Sequence, residues 1–279
     1  MKDILVAIDF SKGSEHALQY AIELANTAQS NIIMIWIDNL SIQEVTLATE
    51  TSEIREDAKK NLEELVQKYK AQLKPGKISY KIRKGKVYLE LSAQAKQCEC
   101  GLLITGTHGV TGFEEYWIGS NAFRVVSYAP CPVISVKSNT DISRGIRRIV
   151  LPIIHTPQTI QKVQFTAKLA RITGADINIL GLNSSRLKTM QRVIENNVNK
   201  VERYLKDAGV NFVIDYLMTD NLTSAIIEHV QKVDADLIAV MTDGQNEPST
   251  TVMGQFAQQL VNFAPVPVLS IHPRDNFTF

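Results

Sequence analysis

The 279-residue chain lacks an excess of either charge. It has 30 Lys+Arg against 29 Asp+Glu, a formal net charge of +1. That balance argues against a general nucleic-acid binder, whose lysines and arginines gather into a basic excess. Long hydrophobic runs are missing as well. The longest unbroken one, Ile32 to Ile37, falls far short of the roughly 20 residues a membrane-spanning helix needs. Met1-Lys2-Asp3-Ile4 leads straight into strand-like sequence, without the apolar stretch and small-residue cleavage site of a secretory leader. Cysteine is scarce. Cys98, Cys100 and Cys131 cannot all pair, and their spacing is no zinc pattern. A reduced, cytoplasmic protein is the simplest reading. What remains is ordinary globular sequence. At 44% hydrophobic residues the chain has enough apolar side chains to exclude disorder as its main state.

The length is that of one large domain or two small ones, and an internal repeat favours two. Residues 2–11 (KDILVAIDFS) align with 147–156 (RRIVLPIIHT) at an offset of 145. Gly101-Leu102-Leu103-Ile104-Thr105 aligns with Asp236-Leu237-Ile238-Ala239-Val240, and residues 129–136 (APCPVISV) with 264–271 (APVPVLSI), both at an offset of 135. The ten-residue loss is expected between the second strand and the following helix, where the first copy has a polar stretch around Ser41 to Ser52. Connecting loops tolerate such changes best. The expected domains are 1–138 and 147–279, joined by the mostly polar Ser138 to Gly145.

Each unit alternates short apolar runs with amphipathic stretches. In the first, Ile4–Ile8, Ile32–Ile37, Ile78–Ile82, Leu102–Thr105 and Val133–Val136 read as strands. Ser11 to Ala28, Glu53 to Leu73, Val87 to Gln97 and Ser120 to Tyr128 read as helices. Ala58, Leu62, Leu65 and Tyr69 share one face of the second helix. Ser11 is a natural cap for the first helix. Thr156-Pro157 places a cap and an N1 proline at the matching point of the second copy. Alternating β and α with near-continuously apolar strands means an open parallel sheet with helices on both faces. Two tandem five-stranded sheets of this kind are the expected fold.

Ligands bind such sheets at the carboxyl ends of the strands, where helices begin. After the fourth strand comes Gly106-Thr107-His108-Gly109, then nine residues, then Gly119-Ser120: G-x2-G-x9-G-[ST]. Glycines let backbone N–H groups approach an anion, and Ser120 adds a hydroxyl at a helix's positive end. The pattern arises by chance about 0.004 times in a chain this long.

Together with Ile4-Leu5-Val6-Ala7-Ile8-Asp9-Phe10-Ser11 and Ala129-Pro130-Cys131-Pro132-Val133, this motif makes each unit resemble a universal stress protein domain. The whole chain resembles the tandem members of that family. The resemblance implies an adenine nucleotide alpha hydrolase-like, Rossmann-like sheet, and in one branch of the family it implies ATP binding through the glycine motif. On that resemblance Asp9 contacts the nucleoside and Ala7 lines the same pocket. Trp36 and Ile37 match the region that meets the adenine. Gly106, Gly109, Gly119 and Ser120 match ribose and phosphate positions, and Asn121 and Ala122 further phosphate contacts. Many relatives carry Arg or Lys after the His-Gly pair, where this chain has Val110. Lys84 and Lys86 stand on the same edge of the sheet as substitutes, or form a solvated basic turn. ADP or AMP therefore suits the pocket as well as ATP, with or without Mg2+. Family members also pair through their last strand, so Val133–Val136 and Val268–Ile271 are expected to join the two units as an intramolecular pseudo-dimer. A further homodimer stays open.

The second copy departs from the motif. Ile154 replaces Asp9, Met241 replaces Gly106 and Gln255 replaces Ser120. Methionine cannot give glycine's close backbone approach, and isoleucine cannot accept a hydrogen bond. This unit is expected not to bind ATP in the family manner, and serves structure or binds something else through Thr242-Asp243-Gly244 and His155. His108 lacks a carboxylate or nucleophile partner in the sequence and reads as a loop-ordering residue. Cys98 and Cys100 read as helix-end residues near the core, without a thiolate-stabilising motif, and Cys131 reads as packing. Phe113, Tyr116 and Trp117 read as burying their loop. The leading function is a nucleotide-binding stress-response regulator that acts on a protein partner. A slow ATPase and a nucleotide-free interaction scaffold are the alternatives. The sequence shows no clear base, metal-ligand set or second-substrate site, so enzymatic activity is at most weak ATP hydrolysis.

Overall fold

A computed structural model describes residues 3–39, 48–107, 120–242 and 254–273, with the side chains of 48–52 and 120 also outside the description. The chain divides into two compact units, Met1–Ser138 and Asn139–Phe279.

In unit 1 the elements run β1 (Ile4–Ala7), α1 (Lys12–Ala28), β2 (Ile32–Asp38), α2 (Ala48–Tyr69), β3 (Ile78–Lys84), α3 (Val87–Gln97), β4 (Leu102–Gly106), α4 (Ser120–Tyr128) and β5 (Val133–Val136). The strands lie in the order β3-β2-β1-β4-β5, every pair parallel. Ile4, Leu5, Val6, Met34, Leu102, Leu103, Ile104, Val133 and Ile134 are fully buried. Such strands are covered by helices on both faces. Right-handed crossovers put α1 and α2 on one face and α3 and α4 on the other. The first pair is tied by Glu15, which accepts from the Tyr69 hydroxyl at 2.6 Å and from Lys68 at 2.5 Å. Gln19 donates to the Tyr69 hydroxyl at 2.9 Å. These bonds and the Lys68 charge hold the Glu15 carboxyl below its ordinary range.

Unit 2 repeats the plan with β6 (Arg148–Ile153), α5 (Val163–Thr173), β7 (Asp176–Asn183), α6 (Lys188–Asp207), β8 (Phe212–Met218), α7 (Leu222–Lys232), β9 (Leu237–Met241), α8 (Gln255–Phe263) and β10 (Val268–Ile271). Its order is β8-β7-β6-β9-β10, again all parallel. Among the described residues each unit thus holds five parallel strands and four α-helices.

Three expectations change. The residues lost in the second copy are not lost in one loop. They are spread over the connection before the second long helix (39–47 against 184–187), the helix itself (22 residues against 20) and the connection after it (70–77 against 208–211). Helix α2 starts at Ala48 and ends at Tyr69 rather than spanning 53–73. Its end is set by Asn26, whose amide donates to the Gln72 carbonyl and whose carbonyl accepts from the Lys74 N–H, both at 2.8 Å. Those bonds draw the chain out of the helical path. In unit 2, Thr156 does not cap a long helix. Pro157–Ile160 form a single 3-10 turn without a side-chain cap, and α5 begins only at Val163.

Candidate functional site

The strand order places a switch point between β1 and β4. From there the chain proceeds to β2 on one side and β5 on the other, which opens a crevice at the carboxyl ends of these two strands. The loop after β1 turns sharply. Asp9 accepts from the Ser11 N–H through Oδ1 at 3.0 Å, and its own N–H donates to Ser14 Oγ at 3.3 Å. Ser11 caps α1 by accepting from the Ser14 N–H at 3.1 Å. Phe10, between them, has φ of 63°, a left-handed conformation that non-glycine residues rarely adopt and that gathers at functional sites. Its ring stacks on Trp36 with centroids 6.2 Å apart. The turn thus presents a half-buried Asp9 followed by Phe10, whose ring stacks on Trp36.

Gly106 closes the crevice from the other side. A Cβ there would lie 2.9 Å from the Gly13 carbonyl carbon and 3.2 Å from the Ser14 nitrogen. Only glycine lets the end of β4 come this close to the first turn of α1. The positive end of that helix therefore stands against the strand end.

The structure brings Ala7, Asp9 and Gly106 together around the switch point on β1, its loop and β4. Trp36 and Ile37 lie at the end of β2, the neighbour of β1. Asn121 is exposed and Ala122 buried in the first turn of α4, which Ser120 begins. His108, Gly109 and Gly119 lie outside the described residues, as do Val110, Phe113, Tyr116 and Trp117, and the Ser120 side chain is likewise not described. Lys84, the last residue of β3, and Lys86 just after it are exposed, two strands from β1, flanking the Gly85 N–H that donates to the Asp38 carbonyl at 3.0 Å. Two residues escaped the sequence reading. Phe10 lies in the first motif, but its place in the turn shows only through its φ. Lys137 directly follows β5, whose Val136 is in register with Gly106. Burial pushes its ammonium below the ordinary lysine range. A lysine ending VISVK beside the glycine strand was the available signal.

Asp38, at the end of β2, has a wholly buried side chain held by Arg55 Nε at 3.0 Å. It anchors α2 over the sheet rather than serving the crevice. Among the described residues no three His, Cys, Asp or Glu side chains converge as a metal would require.

The corresponding place in unit 2 is built differently. Ile154 follows β6 and its N–H donates to Thr159 Oγ1 at 3.2 Å, the counterpart of Asp9 N–H to Ser14. Lys162 is wholly buried, with Nζ donating to the Thr159 carbonyl at 2.6 Å and to Thr159 Oγ1 at 3.2 Å. Burial pushes its ammonium down to about 7. Asn197 donates to the Ile154 carbonyl at 3.1 Å. With Met241 at the end of β9, the helix start is a 3-10 turn instead of the close α1-type approach. His155 is exposed, Thr242 is buried with Oγ1 2.6 Å from His272 Nδ1, and Asp243 and Gly244 lie outside the described residues.

Two α/β units with the same strand order, each with a switch point at its first strand, make this a tandem α/β protein. Comparison with known proteins makes this specific. Residues 1–137 and 145–272 each match the universal stress protein family, so the chain belongs to that family. It is 28% identical over 146 residues to the universal stress protein YxiE of Bacillus subtilis, covering 48% of this chain and 97% of that one. It is 31% identical over 140 residues to universal stress protein MJ0531 of Methanocaldococcus jannaschii, covering 49% and 82%. A crystal structure of a universal stress protein from Archaeoglobus fulgidus superposes with a TM-score of 0.78 at 17% identity, covering 99% of this chain and 97% of that chain. That likeness concerns the fold alone. No helix among the described residues is long and apolar enough to cross a membrane.

Proposed function

We propose that unit 1 binds one adenine nucleotide, ATP or its di- or monophosphate, at the crevice between β1 and β4, and that unit 2 binds none. The observation that carries this reading is the contact at Gly106, where a Cβ would run into the backbone of α1. It leaves a strand end, a helix N-terminus and the Asp9 carboxylate converging on one place. Asp9 would accept from the nucleoside hydroxyls, and Trp36 and Phe10 would flank the base. The glycine loop would hold the phosphates, with Lys137 a nearer cation than Lys84 or Lys86. Any Mg2+ would come with the phosphates, since the described residues offer no ligand set of their own. A nucleotide-dependent change at the site would then be read by a protein partner in the cytoplasm, which makes the protein a stress-response regulator.

Isothermal titration tests the site: the wild type binds, while Asp9→Ala and Gly109→Ala lose at least tenfold in affinity. No adenine-nucleotide binding to the wild type overturns the proposal.

The sequence pattern further supports pairing of Val133–Val136 with Val268–Ile271 inside one chain. Each is the last strand of its unit, and an apolar strand left at a sheet edge seeks a partner. Cleavage in residues 139–146 then leaves two halves that co-elute on gel filtration. Halves that separate contradict the pairing.

A further inference from the structure

Cys98 and Cys100 are joined by a disulfide across a single residue, with Cα atoms 5.1 Å apart. This bridge sits in the turn that ends α3 and leads into β4. The Cys98 N–H donates to the Gln94 carbonyl, Glu99 to Lys96 and Cys100 to Ala95, at 3.0, 3.1 and 3.1 Å. Glu99 takes a left-handed φ of 48°.

Unit 2 contains the same turn without cysteines. There Val233 donates to His229, Asp234 to Gln231 and Ala235 to Val230, at 2.9, 3.2 and 3.0 Å. Asp234 has φ of 52°. The turn therefore forms from its backbone bonds alone, and positions 98 and 100 are brought close whether or not sulfur links them. A bridge that closes so short a loop removes little freedom from the unfolded chain. It is not a staple the fold requires. Cys98 is partly exposed, whereas Cys100 is buried, so one sulfur is open to attack and the other is placed to leave and to re-form the bond. The third cysteine does not compete: Cys131 is free, and burial pushes its thiol up to about 12. The pair precedes β4, at the end of that strand opposite Gly106. It is thus separate from the crevice.

We propose that Cys98–Glu99–Cys100 is a thiol–disulfide exchange site whose partner is a protein dithiol of the thioredoxin class. The partner's thiolate attacks Cys98 Sγ. The Cys98–Cys100 bond breaks, the electron pair leaves on Cys100 Sγ, which takes up a proton, and a mixed disulfide holds the two proteins together. The partner's second thiolate then attacks its own sulfur in that link and releases Cys98 as a thiol. Two electrons and two protons pass: the stress protein disulfide becomes a dithiol and the partner dithiol a disulfide.

The test uses the full chain, purified without reductant, with thioredoxin, thioredoxin reductase and NADPH. One NADPH is oxidised per chain, and Cys98→Ser or Cys100→Ser oxidises none. Alkylation of the denatured protein labels one thiol before this treatment and three after it, while the thermal midpoint shifts by less than a few degrees. Three thiols in the untreated protein, or no NADPH oxidised, would overturn the site. So would loss of cooperative unfolding on reduction, because the bridge would then be structural.

Discussion

Gly106 and Met241 hold the same place at the end of the fourth strand of each unit, and the surroundings of the two differ. Where the residue is glycine, the helix after the first strand comes up against the strand end. Where it is methionine, a 3-10 turn precedes the helix, and Lys162 after that turn is buried and bonded to Thr159. A wholly buried ammonium without a carboxylate partner is costly, and the protein responds by lowering its pKa. The folded chain binds the Lys162 proton less readily than the unfolded chain, so unfolding takes up a proton between about pH 7 and pH 10.5. Stability from this group therefore rises with pH across that window and is flat below it. Lys162→Met is expected to stabilise the protein by on the order of a few kcal/mol at pH 7, with the gain vanishing above pH 10.5. Urea unfolding of both proteins at several pH values checks this. None of it is legible in the sequence, where Lys162 reads as one more polar helix residue. Ile154 and Met241, by contrast, are legible as losses, because the residue types themselves exclude the chemistry of Asp9 and Gly106.

The strands were the most legible elements. Parallel strands buried on both faces are short apolar runs, and Ile32–Asp38, Leu102–Gly106 and Val133–Val136 lie within two residues of where such runs end. Helices α3 and α4 begin and end where their periodicity predicts. What could not be read were boundaries fixed from a distance. Asn26 ends α2 through two bonds to residues 46 and 48 positions away. Asp236 does the same service at the entrance to unit 2. Its carboxylate accepts from the N–H groups of Arg147 and Arg148, each at 2.9 Å, and from Arg144 Nη2 at 2.6 Å. It is nearly buried, which fastens the segment before β6 to the start of β9. Asp236→Ala leaves two amides and a guanidinium without their acceptor. It is expected to cost about 2–4 kcal/mol, measured by urea denaturation. Unit 1 has Gly101 at this position, whose N–H donates to the Asp3 carbonyl as the Asp236 N–H does to the Arg148 carbonyl. The two units share that backbone bond, and unit 2 adds the carboxylate to it.

At the scale of the molecule, the duplicated fold is visible in the repeat, while the proposed nucleotide site belongs to one copy. The same order of strands and helices supports a close glycine approach beside Asp9 in unit 1 and a buried Lys162 bonded to Thr159 in unit 2. A tandem member with one working site differs from a dimer of single-domain members in a countable way. The direct measurement is the stoichiometry of adenine-nucleotide binding by isothermal titration of the full chain, set beside a Gly106→Met variant that gives unit 1 the residue of unit 2. One nucleotide per chain for the wild type and none for Gly106→Met is the predicted result. Two nucleotides per chain, or undiminished binding by the variant, would contradict it.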